Sequence, residues 1–389
     1  SGRIRFHPML REYVRSWHWN QAVRESLDEM MERLHRKINP MEEQPDLDKQ
    51  FPADYGQLYE LLGIADQLLS HADPTTPASQ LLTFRMLMDS PVDADEAVTD
   101  GMIHLLECAD GLPSRCILRL YETTAFMLGR LGCYEDAHDL LKEMKVYLKK
   151  HPSHYYASWY HRATAVILNN QYGCKKNDKC IKHENAAIKE ARRSNHPDAP
   201  NQLAAVLLNK TQTLLESRKK MSLCGQMLAE AGAILQSSQA GYERYHFECV
   251  ASMYFAIVGD REAALKHLQR ATEHAETEKD SPLALIEHML DETAAVYIQL
   301  GQLDDAIATV LQAVAMCDAN EKIQRYRKAR FEAYLFLGTI YALNNEFIQA
   351  EATFQKAEMH LEDSDDRWNL PLCPKEIREK AEEERMAKR

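Results

Sequence analysis

Glycine and proline are scarce in this chain, with 14 of each in 389 residues. Alternating runs of β-branched residues are nearly absent. Both shortages argue against a sheet-rich protein, and the abundance of Ala, Leu, Glu and Lys fits an all-helical one. No apolar run is long enough to span a bilayer and no signal peptide is visible, so no membrane partner is expected. The nine cysteines are odd in number and scattered, which excludes a disulfide framework and suits thiols in a reducing compartment. A basic excess is missing too. Lys and Arg total 47 against 59 Asp and Glu, a formal net charge of −12, which speaks against nucleic acid as a partner. Catalytic signatures are also lacking: there is no G-x-S-x-G, no H-E-x-x-H, no Gly-rich phosphate loop and no paired-Cys redox motif. The 16 histidines are dispersed, with no nucleophile beside them. The expectation is a cytoplasmic, non-enzymatic chain with no cofactor and no metal.

What is present is one pattern written four times, over 125–144, 252–271, 294–313 and 338–357. Each copy opens on a small residue: Ala125, Ser252, Ala294, Gly338. Twelve positions on stands Ala137, Ala264, Ala306 or Ala350, and seven further Met144, Ala271, Ala313 or Ala357. Small residues at these offsets let two helices cross closely. A bulky residue three after the first anchor fills the gap: Leu128, Phe255, Tyr297, Tyr341. A tight turn separates the halves, as in Leu131-Gly132-Cys133-Tyr134 and Leu300-Gly301-Gln302-Leu303.

These offsets resemble the tetratricopeptide repeat, a helix–turn–helix unit that stacks into solenoids. The Ala anchors of the last three copies lie 42 and 44 residues apart, against about 34 in the standard unit, so each helix should be about one turn longer. That spacing is similar to the repeats of kinesin light chains and of bacterial signal-transduction regulators. The resemblance implies an all-α, right-handed superhelical solenoid of six to eight hairpins that binds a peptide or protein segment in its concave groove.

The organisation reads as four parts. Residues 1–39 hold a short strand and a helix, Asn39-Pro40 ending it; 40–54 form a polar linker; 55–362 form the repeat array; 363–389 form a charged tail or helix. Within the array the first hairpin has halves Tyr55–Leu69 and Pro77–Met88. Further helices fall at 92–108, 113–131, 154–170, 181–194, 201–216 and 222–238, with an insertion at 173–180. The last fifteen residues, 375–389, read as a solvated helix or frayed tail. The opening Ser1-Gly2 reads as a remnant of cloning, which implies natural sequence upstream.

A narrower resemblance rests on Ile4-Arg5-Phe6-His7-Pro8-Met9-Leu10-Arg11-Glu12-Tyr13-Val14. This segment looks like the end of the winged-helix domain in the signal-transducing ATPases with numerous domains, of NB-ARC type. There a nucleotide-binding module precedes it and a repeat array follows. The resemblance implies an upstream nucleotide-binding domain and a contact from His7 to the nucleotide phosphate in the resting state. Pro8 stands where many members have Asp. Alone, His7 only caps a strand-to-helix junction.

Candidate sites are few. Counting from the anchors, the groove-facing positions of the first helices are Arg119, Glu122, Phe126, Arg130, His246, Met253, His288, Asp291, Gln299, Glu332 and Thr339. Cys174, Cys180 and His183 offer three zinc ligands, but the C-x5-C spacing is wide for a structural site and no metal is expected. The basic stretch 175–193 reads as a solvated helix face. The aromatics Tyr155, Tyr156, Trp159 and Tyr160 are either core between repeats or a ligand wall. The functional expectation is a sensor that relays groove occupancy to an upstream nucleotide switch. A constitutive scaffold, or a receptor for signalling peptides joined to a helix-turn-helix domain, are the alternatives.

Overall fold

The structure is a computed structural model that describes residues 76–88, 96–108, 112–172, 177–236, 241–277, 282–320, 325–360 and 373–387. His7, the strand and helix expected within 1–39, the 40–54 linker and the Tyr55–Leu69 helix lie outside them. Among the described residues there are fifteen helices and no strand. They are α1 Pro77–Met88, α2 Glu96–Glu107, α3 Ser114–Arg130, α4 Tyr134–Lys150, α5 His154–Tyr172, α6 Asn177–Arg193, α7 Ala199–Glu216, α8 Met221–Gln236, α9 Gly241–Val258 and α10 Arg261–Thr277. Then come α11 (282–299, with a π-helical turn at His288–Ala294), α12 Leu303–Ala319, α13 Arg325–Leu343, α14 Phe347–Glu358 and α15 Lys375–Ala387. The chain divides into two units: one runs to Thr213 and takes in 233–240, the other covers 214–232 and everything from Gly241.

Four turns share one construction because the sequence repeats there. Gly132, Gly259 and Gly301 have φ of 82°, 86° and 73°, and Asn345 has 60°. All four stand seven residues after a small anchor. A left-handed residue at this place lets the next N–H reach back to the helix end. Cys133, Asp260, Gln302 and Glu346 donate to the carbonyls of Leu128, Phe255, Tyr297 and Tyr341 at 2.8–2.9 Å. Those carbonyls belong to the bulky residue of the pattern. Each C-terminal cap is therefore built on the same residue that fills the inter-helix gap. The Arg218 turn repeats the bond, Lys219 N–H to Leu214 O at 3.0 Å, with φ of 51° on an arginine.

The anchors are buried as close helix crossings require. In the first unit Ala125, Ala137 and Met144 are fully enclosed, with Leu118, Leu128, Leu141, Ala163 and Ile167 closing the α3–α4–α5 core. In the second unit Ala264, Ala271, Ala294, Ala306, Ala313, Ala350 and Ala357 are all at 0% exposure. Ser252 Oγ donates to Ala264 O at 2.9 Å across the α9/α10 pair, so one anchor is tied to another by a hydrogen bond. A Cβ on Gly338 would meet the Phe354 ring at 3.2 Å, which shows how close α13 and α14 come.

One boundary differs from the sequence reading. Helix α6 begins at Asn177 rather than 181, so Cys180 sits inside it, fully buried; Asp178 favours the start through its charge at the positive helix end. Of the two readings of the C-terminal segment the structure shows the helix, mostly exposed but docked at one position. Helix α15 packs on α14 through Ala381, which is fully buried, with Arg385 paired to Glu351 and Lys380 Nζ 4.8 Å from the Phe347 ring centre. Glu384 accepts the Ile348 N–H at 3.2 Å and so caps the N-terminus of α14, a service no local side chain performs.

Candidate functional site

In the first unit, side chains of three successive first helices are in contact. Arg119 of α3 lies over the Trp159 ring of α5, its guanidinium carbon 5.4 Å from the ring centre. Arg162, one turn beyond Trp159, lies 5.7 Å from the same centre. Its Nη1 donates to Gln202 Oε1 of α7 at 3.2 Å, and Gln202 in turn donates to Ser158 Oγ at 3.3 Å. Ser158 donates to Ala187 O at 3.0 Å, which ties the face to helix α6. Trp159 is 8% exposed, and its indole N–H has no protein acceptor. Beside it, Tyr155 is buried, stacks on His196 at 4.0 Å and donates to Asp198 at 2.7 Å. Tyr155, Trp159 and Ala199 form one buried cluster with Tyr156 packed against it, so Tyr155 and Trp159 are core between repeats.

In the second unit a cleft of about 620 Å³ opens between α10, α11 and α12. The second helices α10 and α12 make its sides, and the π-helical turn of α11 makes its floor. The π register places His288 beside the residue five positions on: Nε2 lies 3.2 Å from Thr293 Oγ1 and 3.0 Å from Thr272 Oγ1. Thr272 gives its own proton to Leu268 O, so it accepts from Nε2–H, and Nδ1 accepts from the Tyr245 hydroxyl at 3.0 Å. His288 is 2% exposed, and burial pulls its pKa down to about 4, so it is neutral. Glu292, on the same turn, is pushed up to about 7 by burial and by the charge of Asp291. Burial also raises the neighbouring Cys249 thiol, which makes it inert as a nucleophile.

The groove residues expected from the sequence fall into three groups. Arg119 is half-buried, Phe126 is 36% exposed and Arg130 is exposed; Asp291, Glu332 and Thr339 are exposed as well. His246 and Gln299 are half-buried, Gln299 accepting from Arg218 at 2.7 Å. Glu122, His288 and Met253 do not line an open face. Glu122 is 9% exposed, His288 is enclosed by three hydroxyls, and Met253 packs into the Ala256–Leu268 core. Of the zinc candidates, Cys174 lies outside the described residues, and His183 shares a 3.1 Å hydrogen bond with His161. Among the described residues no three His, Cys, Asp or Glu are grouped to hold a metal. Lys179, Lys182, Lys189, Arg192 and Arg193 of α6 are all exposed.

Arg162 and Gln202 were not singled out by sequence. The signal was there for Arg162: it precedes the small residue Ala163, follows Trp159 by three, and sits on a 19-residue helix with no carboxylate.

Close-packed hairpins with small anchors and left-handed turns define a TPR-like helical-repeat fold. No protein-family model matches the sequence, and no curated protein matches it. Solved structures do. A Rap protein complexed with competence and sporulation factor is similar at 16% identity, over 85% of this chain and 76% of that one, with a TM-score of 0.51. Aspartyl phosphate phosphatase F from Bacillus subtilis is similar at 13% identity, over 90% and 87%, with a TM-score of 0.52. At these identities the likeness establishes the fold. Among the described residues no helix is long and apolar enough to cross a membrane.

Proposed function

We propose that this chain is a non-enzymatic binding module that takes a peptide or protein segment along the first helices of its hairpins. The observation that carries this is the α3–α5 side of the first unit, where Arg119, Phe126 and Arg162 stay at least partly open while the anchors Ala125 and Ala163 beside them are sealed. Polar forks and an exposed phenyl suit an extended segment with mixed side chains better than an apolar small molecule. The Rap protein of similar fold is complexed with competence and sporulation factor, which agrees with this reading.

The finer reading is a sensor. Occupancy would shift an upstream nucleotide-switch domain, by no more than the ligand's differential affinity for the two states. The His7 resemblance is its support. Deleting residues 55–389 from a full-length parent should alter basal or stimulated output; unchanged output in both conditions would leave a constitutive scaffold. The binding reading itself is tested by panning a phage-displayed random dodecapeptide library against the chain. Enrichment of related peptides, reversed by free peptide, is expected. A pool that stays random would refute it.

A further inference from the structure

We propose that the cleft between α10, α11 and α12 is a binding site for a small organic cation, an ammonium group carried on an apolar body. The site is independent of the peptide-binding reading. Its volume, about 620 Å³, falls within the range of small-molecule sites. Its chemistry is divided. Helix α10 turns one stripe toward it, with Gln269, Thr272, Glu273 and Glu276 spaced by three and four residues. The α11 floor adds the apolar surface of Leu285, Met289 and Tyr297. No Lys or Arg lines the cleft, and the imidazole of His288 is buried and neutral.

The two carboxylates are not neutralised by the protein. Glu273 accepts from the Gln269 amide at 3.0 Å, and neither it nor Glu276 forms an ion pair among the described residues. Arg270 of the same helix is paired with Glu248 of α9 and does not line the cleft. Like charges three residues apart on a helix repel, and a concave wall of one sign raises the local concentration of the opposite ion. The π-helical turn adds a hydroxyl. Thr272, Thr309 and Thr353 each give their proton to the carbonyl four residues back. Thr293, on the π-helical turn, makes no such bond. Its Oγ1 shares the His288 Nε2–H with Thr272 and keeps a lone pair and its proton for a ligand on the floor. π-helical turns frequently occur at functional sites. A bound ammonium neutralises the α10 wall, its body takes the floor side chains out of water, and Thr293 supplies the polar point that orients it.

The probes are 2-phenylethylamine, 2-phenylethanol and phenylacetate, which share one apolar body type and differ in charge. Saturation transfer from the protein to each is read by NMR near neutral pH. The amine should bind saturably, the alcohol about tenfold or more weakly, and phenylacetate should receive no transfer. A Glu273→Gln/Glu276→Gln double variant should lose about tenfold or more in affinity for the amine and bind it no better than the alcohol. Both residues are exposed, so these exchanges leave the fold intact. Glu262→Gln, exposed on the same helix but outside the cleft, should bind the amine like the parent. Equal affinity for amine and alcohol, an amine indifferent to the double substitution, or an amine that does not saturate would each overturn the site.

Discussion

At the scale of single residues, the turn positions show how far local chemistry decides this fold. Gly301 has a φ of 73° and open space around the place a Cβ would occupy, so Gly301→Ala carries a purely conformational cost. It should lower stability by about 1 kcal/mol in urea denaturation, and Asn345→Gly, at the matching turn with φ of 60°, should raise it by some tenths. The glycine turns were legible in the sequence; their kinship with Asn345 was not, because asparagine tolerates the left-handed region less conspicuously. His288 was misplaced for a different reason. Periodicity assumes neighbours at three and four residues, and the π register makes Thr293 its neighbour at five, turning the ring inward among hydroxyls. Glu292 supplies a pH test. Its carboxyl titrates near 4.5 when unfolded and near 7 when folded, so its contribution to stability is whole below pH 4.5 and is lost as pH rises through 7. Glu292→Gln lacks that loss. Its melting temperature relative to the parent should therefore climb between pH 4.5 and 7.5; a constant difference would mean the carboxyl is not held protonated. Comparing the two at each pH cancels the opposite trend from His288, which is common to both.

At the scale of elements, the hairpin is the unit that the sequence makes most readable. The anchor offsets locate the helix crossings in four copies, and the crossings are where the interior is tightest. Ala306 is fully enclosed between α11, α12 and α13. Ala306→Phe has no void to enter, and thermal melting should show about 1–3 kcal/mol of destabilisation; a parent-like melt would mean the anchors are not at the crossing. Elements without the pattern were harder to read. The start of α6 was set too late because Lys175, Lys176 and Lys179 suggested a loop, while the buried Cys180, Ala187 and Ala191 already belong to the inner face of the helix. Helix α15 reads as a solvated helix or frayed tail because its composition is mostly charged; its docking depends on one small residue, Ala381, and on long-range partners in α14 that composition does not announce.

At the scale of the whole molecule, the fold class was open to reading and the site only in part. Close-packing anchors recur, so they stand out; a binding face is assembled from positions the pattern leaves free, and freedom has no period. Arg119 and Phe126 were found by counting from anchors. Arg162 and Gln202 emerged once α5 and α7 lay side by side in the first unit. The peptide should therefore be received by the first helices, and not the second. Hydrogen exchange read by mass spectrometry, with and without a peptide recovered from panning, tests this most directly. Protection is predicted in the α3 and α5 segments, 114–130 and 154–172, and in α7 up to residue 213, with α4 and α6 unchanged. Protection confined to 134–150 and 177–193, or to the cleft at 265–312, would contradict it.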